Sequence, residues 1–332
     1  MSPSTVSWSW WRPEPALWVL AAWVLDAWVG EPCGRVHPVR AVAATAAALE
    51  QAVRRSARSP RGLRLGGVLT AVVVVGGTYG FTLGIVDAAS RLDPLFGHVV
   101  ALLLMASGLA GRGLADAAGR VQQALDAADL ATARQRVAEL VSRDTEALEP
   151  PEVVRATVES VAENTCDAFV APFLWGLVGG APLLWAYKAV NTLDSLFGYR
   201  TPRYRDFGWF AARLDDGANW IPARVAALAL VVAAAAEGRA RAAWAVWRRD
   251  GRAHASPNAG QTEAAMAGAL GVRLGGLTPY HGVLVPRPTL GDPVRPLAPS
   301  VIGRAVRLLR RTEALVAVAG TLLAGILGGR WG

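Results

Sequence analysis

The sequence predicts an all-α, polytopic integral membrane protein with about four to six membrane-inserted helical segments and a cytoplasmic-face layer of helices and loops. Three observations predict it. Only 18% of the 332 residues are charged, against about 25% in soluble chains. With glycine counted and tyrosine left out, roughly 62% are apolar, against roughly 45–50% in soluble domains. The apolar residues also lie in blocks rather than at the intervals that turn one helix face to a protein core, so lipid is the solvent for part of the chain. Disorder, collagen and disulfide scaffolds are excluded.

The formal charge is +8, yet Lys188 is the only lysine among 34 basic residues. Such a bias is compositional before it is nucleic-acid binding, and no nucleic-acid partner is expected. Cys33 and Cys166 lie far apart with no CxxC, which signals neither zinc nor a disulfide and fits a reducing compartment. No cleavage pattern precedes the first apolar run, and Asp26 interrupts it, so that run is expected to be retained.

Residues 1–332 read as one domain. Span one is residues 15–30, rich in tryptophan. Residues 65–88 hold the longest uncharged stretch and 94–111 its return across the bilayer, with the turn at Asp93-Pro94. Glycines 66, 67, 76, 77, 80, 84 and 108 suit close helix contact there. Residues 112–165 carry an interrupted apolar stripe and read as an extramembrane helical layer. Residues 168–187 are uncharged but split by Gly179-Gly180-Ala181-Pro182, which fits either a kinked span or a re-entrant helix-turn-helix. The arginine-rich loop between residues 35 and 64 is placed in the cytoplasm. A single crossing at 168–187 would strand Lys188, Arg200, Arg203, Arg205 and Arg213 outside, so re-entry is favoured. Residues 225–236 are short for a span and insert partially, 237–312 are extramembrane, and 314–330 form the last span. No strand-period domain is visible.

Four polar clusters interrupt this pattern. In the first, Asp26 costs about 2.5–3.5 kcal/mol within a membrane helix and so faces protein, water or a cation, unless it snorkels out; Glu31 and His37 straddle the exit, where His37 is either a loop residue or a catalyst. In the second, Glu159, Glu163 and Asp167 recur every four residues with Asn164 beside them, an acidic face that calls for Mg²⁺ or arginine unless it is simply solvated. In the third, Lys188, Asn191, Asp194 and Ser195 share a face, followed by Tyr204-Arg205-Asp206 and by Asp215-Asp216 with Asn219. A lone lysine among arginines suggests a phosphate contact; the alternative is a membrane-edge cation. In the fourth, His254, Ser256, Asn258 and Glu263 precede a small-residue helix. Capping explains the Ser-Pro-Asn part and anion binding at the helix start is the functional alternative, while His254 needs another account. No P-loop, dinucleotide fingerprint, zincin or hydrolase elbow occurs.

At these clusters the chain resembles the CobD/CbiB family, the membrane-bound cobalamin biosynthesis proteins also called adenosylcobinamide-phosphate synthases. The resemblance rests on LDAWVGEPCGRVHPV (25–39), SRDTEAL (142–148), VESVAENTCDAFVAPF (158–173), AYKAVNTLDSLFGYRTPRYRDFGWFAARLDDGANWIPAR (186–224) and HASPNAGQTEAAMAGALGVRLGG (254–276). Glu31 stands where many members have Asp, and Gln261-Thr262 where an aromatic and Pro are common. The resemblance implies ATP-dependent amide formation, joining a carboxylate of adenosylcobyric acid to (R)-1-aminopropan-2-ol or its O-phosphate. On that basis Glu159, Glu163 and Asp167, with Asp215 or Asp216, would hold Mg²⁺; Lys188, Arg205 and Arg224 would neutralise phosphates. His37 or His254 would serve as base, with Lys188 and Glu163 also in catalytic positions. Asn191, Ser195, Ser256 and Asn258 would orient substrate amides, and Asn164, Tyr204, Asn219 and Glu263 complete the binding set. The expected setting is the bacterial inner membrane with the active face cytoplasmic, beside membrane lipid and other late cobalamin-pathway enzymes. The alternative is a non-enzymatic corrinoid-binding or transport protein, or an AmpE-like sensor; a transporter should show two repeated halves, and none is found.

Overall fold

Three of the first four helices start on one local device, a side chain that accepts a backbone N–H followed at once by proline, whose missing N–H would have been unpaired in any case. His37 Nδ1 accepts from Val39 (3.2 Å), Ser59 Oγ from Gly62 (3.1 Å) and Asp93 Oδ1 from Phe96 (2.9 Å). In this computed structural model, which describes residues 13–30, 37–199, 201–280 and 282–328, the order is α1 (Pro13–Val29), α2 (Pro38–Ser56), α3 (Pro60–Leu92), α4 (Pro94–Gly108), α5 (Gly111–Asp126), α6 (Leu130–Ala138) and α7 (Pro150–Asn164). A π-helical turn (Thr165–Val170) then leads into α8 (Ala171–Phe197), α9 (Trp209–Ala218), α10 (Trp220–Ala233), α11 (Ala240–Asp250) and α12 (Ala259–Leu270). The strands β1 (Leu274–Tyr280) and β2 (Val283–Leu290) precede α13 (Ser300–Gly328).

Among the described residues four helical stretches are long and apolar enough to cross a membrane: Pro60–Leu92, Pro94–Asp126, Pro150–Phe197 and Trp220–Glu237, with Ala16–Val29 a shorter apolar helix. One buried cluster joins α1, α4 and α8 around Phe169, Phe173 and Leu184. A second, around Val158, Met266, Leu270 and Leu308, joins α5, α7, α12 and the first half of α13. A third packs α2 and α3 on Leu193 and Phe207.

The stretch 150–197 does not run straight. Gly179 (φ −146°, ψ 23°) and Gly180 (φ 62°, ψ −157°) leave helical geometry, and a Cβ on Gly176 would lie 3.3 Å from Leu184 Cδ1. Asn191 donates to Asp167 across 24 residues at 3.1 Å, a span of about 36 Å in a continuous helix. The chain therefore doubles back at the two glycines as a helical hairpin. Its return brings residues 203–206 against the arginine-rich α2–α3 turn: Arg64 pairs with Asp206 (3.0 Å), and Arg203 with Glu50 (3.1 Å). These two basic segments thus lie on one face.

Several sequence expectations are corrected. The region 237–312 is not wholly helix and loop, because β1 and β2 form an antiparallel hairpin. Gly275 and Gly276 at positive φ and Pro279, Pro286 and Pro288 erase the alternating pattern that marks a strand. Tertiary contacts hold it instead: Arg155 donates to the carbonyls of Gly275 and Leu277 (2.7 Å each), and Asp144 accepts from Gly282 (2.7 Å). The partial segment 225–236 starts earlier, at Trp220, and a 3₁₀ turn carries it to Glu237. The glycines of α3 divide. Gly66 abuts Val53 and Gly67 the Phe207 carbonyl, whereas a Cβ on Gly76, Gly77, Gly80 or Gly84 would meet nothing within 4 Å among the described residues, so these four make no close helix contact there.

Gly180→Val should destabilise the hairpin by about 1–3 kcal/mol, because an L side chain is strained at this φ/ψ. A lowered midpoint in thermal unfolding of the detergent-solubilised protein checks this, against no lowering for Gly77→Ala, whose Cβ meets open space.

Candidate functional site

The reversal at Gly179–Gly180 brings three sequence words together. Asp167 lies on the π turn and Asn191 on the returning arm of α8; Asn191 bridges Asp167 and Asp215 (3.1 and 3.5 Å). Asn219, at the α9–α10 junction, donates to Asp215 (3.0 Å) and accepts from the Tyr187 hydroxyl (2.9 Å). Lys188 lies within electrostatic range of Asp167. The π turn matters because it widens the helix where a regular one would continue the acidic ladder in register.

The fourth cluster closes the other side. Ser256 Oγ accepts from the N–H groups of Asn258 and Ala259 (3.3 and 3.2 Å), the capping that the sequence suggested. Asn258 donates to the Asp216 carbonyl (2.9 Å) and accepts from Arg224 (3.1 Å), whose guanidinium lies 4.4 Å from the Trp220 ring centre. Gln261 binds the loop from beneath, donating to the Gly251 and Pro257 carbonyls (2.7 and 3.1 Å) and accepting from Trp247 (2.9 Å).

Between these walls is a cavity of about 420 Å³. Five carboxylates line it, Glu163, Asp167, Asp194, Asp215 and Asp216, together with Asn219, His254, Ser256 and Asn258; no lysine or arginine is among its described lining residues. Burial, then Asp167 and Asp194, hold the Asp215 carboxyl well above the usual carboxylate range.

Behind the cavity wall is an ionic cluster with both signs. Arg143 pairs with Glu159 at 2.5 Å, both buried, and Glu159 also accepts from Gly275 of β1 (2.7 Å). Arg287 of β2 contacts His254, whose Nε2 lies 3.9 Å from Glu263. Burial and then Arg287 lower His254 to about 4; burial and then Glu159 raise Glu263 well above its ordinary value.

The structure therefore divides the expected set. Glu163, Asp167, Asp215, Asp216, Asn219, His254, Ser256 and Asn258 line one cavity, with Asn191 bonded into its wall and Lys188 and Arg224 beside it. Glu159 does not line it; its carboxylate is paired with the Arg143 guanidinium. Among the described residues no group of three or more His, Cys, Asp and Glu is placed to hold a metal ion. His254, held near 4, is a poor base at neutral pH. His37 is elsewhere: it caps α2, and its Nε2 bonds the Ser107 carbonyl (3.0 Å). Asp26 is buried and accepts from the Arg112 N–H (3.3 Å) near the start of α5. Tyr204 packs on Phe197 and beneath Arg54, and Arg205 pairs with Asp206 at the surface, so neither lines the cavity. Asn164 donates to the Ser160 carbonyl and the Ser195 hydroxyl to that of Asn191. Glu263 sits behind His254, and Glu31 lies outside the described residues. Asp194, named only as a member of the Lys188 helix face, lines the cavity as well, and Arg143, Arg155 and Arg287 were not singled out. Arg143 stands in SRDTEAL with no partner nearby in sequence, and Arg287 reaches His254 only through the β-hairpin, which the sequence pattern does not mark.

A helical membrane protein with an acidic cavity at one face is the class these features define. The description "CobD/Cbib protein" matches residues 19–309, and the chain belongs to the CobD/CbiB family. It is 46% identical over 310 residues to a cobalamin biosynthesis protein CobD of Geobacter metallireducens, covering 93% of this chain and 96% of that one. A CobD of Citrobacter koseri is 46% identical and a CbiB of Salmonella typhimurium 43%, each covering 85% of this chain and 88% of the relative. No solved structure matches the chain.

Glu159→Gln should cost about 3–5 kcal/mol by leaving the Arg143 guanidinium buried without its counter-charge. Pairing it with Arg143→Met should recover part of the loss in a double-mutant cycle read by denaturant unfolding, with no dependence on added Mg²⁺.

Proposed function

We propose that the protein acts in cobalamin biosynthesis as an adenosylcobinamide-phosphate synthase, joining adenosylcobyric acid to (R)-1-aminopropan-2-ol or its O-phosphate with ATP. Family membership and the names of the relatives support the pathway. The observation that carries the step is the cavity with five carboxylates and no cationic side chain on its described lining, because such a basin attracts the ammonium of an amino alcohol.

Carboxylate and amine do not condense unaided in water. In the scheme, ATP phosphorylates the corrin carboxylate, releasing ADP, and the amine then attacks the acyl carbon and expels phosphate. The ammonium must first lose a proton. Asp215 is suited to take it, since a carboxyl held well above its ordinary range is a better match to an amine at neutral pH than a free aspartate. Asn191 and Asn219 hold its two oxygens. Arg224 and Lys188, at the edge of the basin, are the candidates for phosphate contact. Magnesium enters with the nucleotide as its counter-ion rather than as a resident metal.

The positive-inside pattern supports an inner-membrane protein with this face in the cytoplasm, where ATP is available. The corrin, its periphery rich in amides, would lie across the cavity mouth near Ser256 and Asn258.

The test uses the full chain in nanodiscs with adenosylcobyric acid, aminopropanol or its phosphate, ATP and Mg²⁺. A product heavier by the amine less one water, with ADP and phosphate released, is expected. Asp215→Asn should lower turnover about 10²–10⁴-fold while corrinoid binding persists, and the wild-type rate should rise with pH as Asp215 loses its proton. Corrinoid binding without product would mark a carrier or sensor instead.

A further inference from the structure

Away from the cavity, α13 presents one outward stripe whose chemistry changes abruptly along its length. Arg304, Arg307, Arg311, Leu315, Val318 and Leu322 recur at spacings of three and four, one helix face. Ile302, Ala305, Leu309, Val316 and Ala317, turned away from that stripe, are buried, as are Val301 and Leu308 at its edge. The buried side joins the α5–α7–α12 core up to Leu309 and the α1–α4–α8 membrane core from Val316. The outward stripe thus turns from basic to apolar at the level where the helix passes from one core to the other.

Beside the apolar half is an open groove of about 650 Å³ between α13 and the end of α10. Val232, Ala236, Leu315, Val318 and Leu322 line its length, and Arg311 stands at one end. Glu237 fixes that end, accepting from Arg304 (2.6 Å) and Arg311 (3.3 Å), and Arg307 adds its field to the same carboxylate. Three guanidinium groups face one carboxylate, so the end of the groove keeps a net positive charge.

We propose that this groove is a binding site for one anionic glycerophospholipid, its phosphate at Arg307 and Arg311 and an acyl chain along Leu315, Val318 and Leu322. The charge complementarity selects the occupant. A zwitterionic lipid offers the same chain but an ammonium that the arginine cluster repels, and a soluble phosphate offers no apolar tail. Basic residues gathered at the end of an intramembrane groove are the arrangement that holds anionic headgroups.

Native mass spectrometry of the full chain, released from micelles carrying equal phosphatidylglycerol and phosphatidylcholine, tests this. The wild type should retain one phosphatidylglycerol in preference to phosphatidylcholine by about tenfold or more. Arg307→Gln with Arg311→Gln should abolish the preference. Ala319→Trp, which fills the groove and leaves the arginines and Glu237 in place, should reduce retention of both lipids. Thermal unfolding of each variant checks that it is folded, and a variant that fails this is replaced by Arg307→Gln alone or Ala319→Phe. Equal retention of the two lipids by the wild type overturns the proposal, as does any other pattern in the folded variants.

Discussion

The hydrogen bond from Asn191 to Asp167 closes a 24-residue excursion into the apolar core, and the rest of the site depends on that closure. Without the break at Gly179 and Gly180 the two residues would stand at opposite ends of a long helix. With it, two polar ends of one apolar hairpin meet, and α9 can set Asp215 and Asn219 against them. The non-helical backbone sits where protein surrounds it, with Gly180 itself buried, as backbone polar groups at membrane depth require.

The second constraint is the separation of acid held by arginine from acid that lines the cavity. Glu159 and Glu263 belong to a buried network with Arg143 and Arg287 that ties α7 and α12 to the β-hairpin. Removing one member of such a network exposes the rest to an uncompensated charge, which makes it structural. Glu163, Asp167, Asp194, Asp215 and Asp216 face open space instead. Their mutual repulsion is a cost to the fold, and it is the kind of cost a protein carries where a cationic ligand will relieve it. Arg287 and His254 stand on the border, so the β-hairpin positions a cavity wall.

Much of this was legible in the sequence because membrane solvation writes in long words. The apolar blocks gave the helices, Asp93-Pro94 the turn between two of them, and Gly179-Gly180 the break. The spacing of Glu163, Asp167, Asp215 and Asp216 from Asn191 and Asn219 was readable only as clusters; that they share one cavity follows from the resemblance and from the chain reversal. What was not legible had tertiary causes. The β-hairpin carries glycine and proline where a strand should alternate, and it is held by Arg155 and Asp144 from distant elements. His37 and Glu159 looked chemical because histidine and stacked carboxylates often are, yet a carbonyl from α4 and a buried arginine account for them. Regular helix spacing also assumed a ladder that the π turn interrupts.

Single cysteines at exposed Arg58, Arg205 and Arg252, introduced one at a time after Cys33→Ser and Cys166→Ser, would report the side of the membrane that each segment occupies. A hairpin that turns back at Gly180 predicts that a membrane-impermeant thiol reagent reaches all three from the same side, in inverted vesicles and not in right-side-out ones. Labelling of position 205 from the side opposite to position 58 would show that residues 168–187 cross the bilayer, and the shared cavity would not exist.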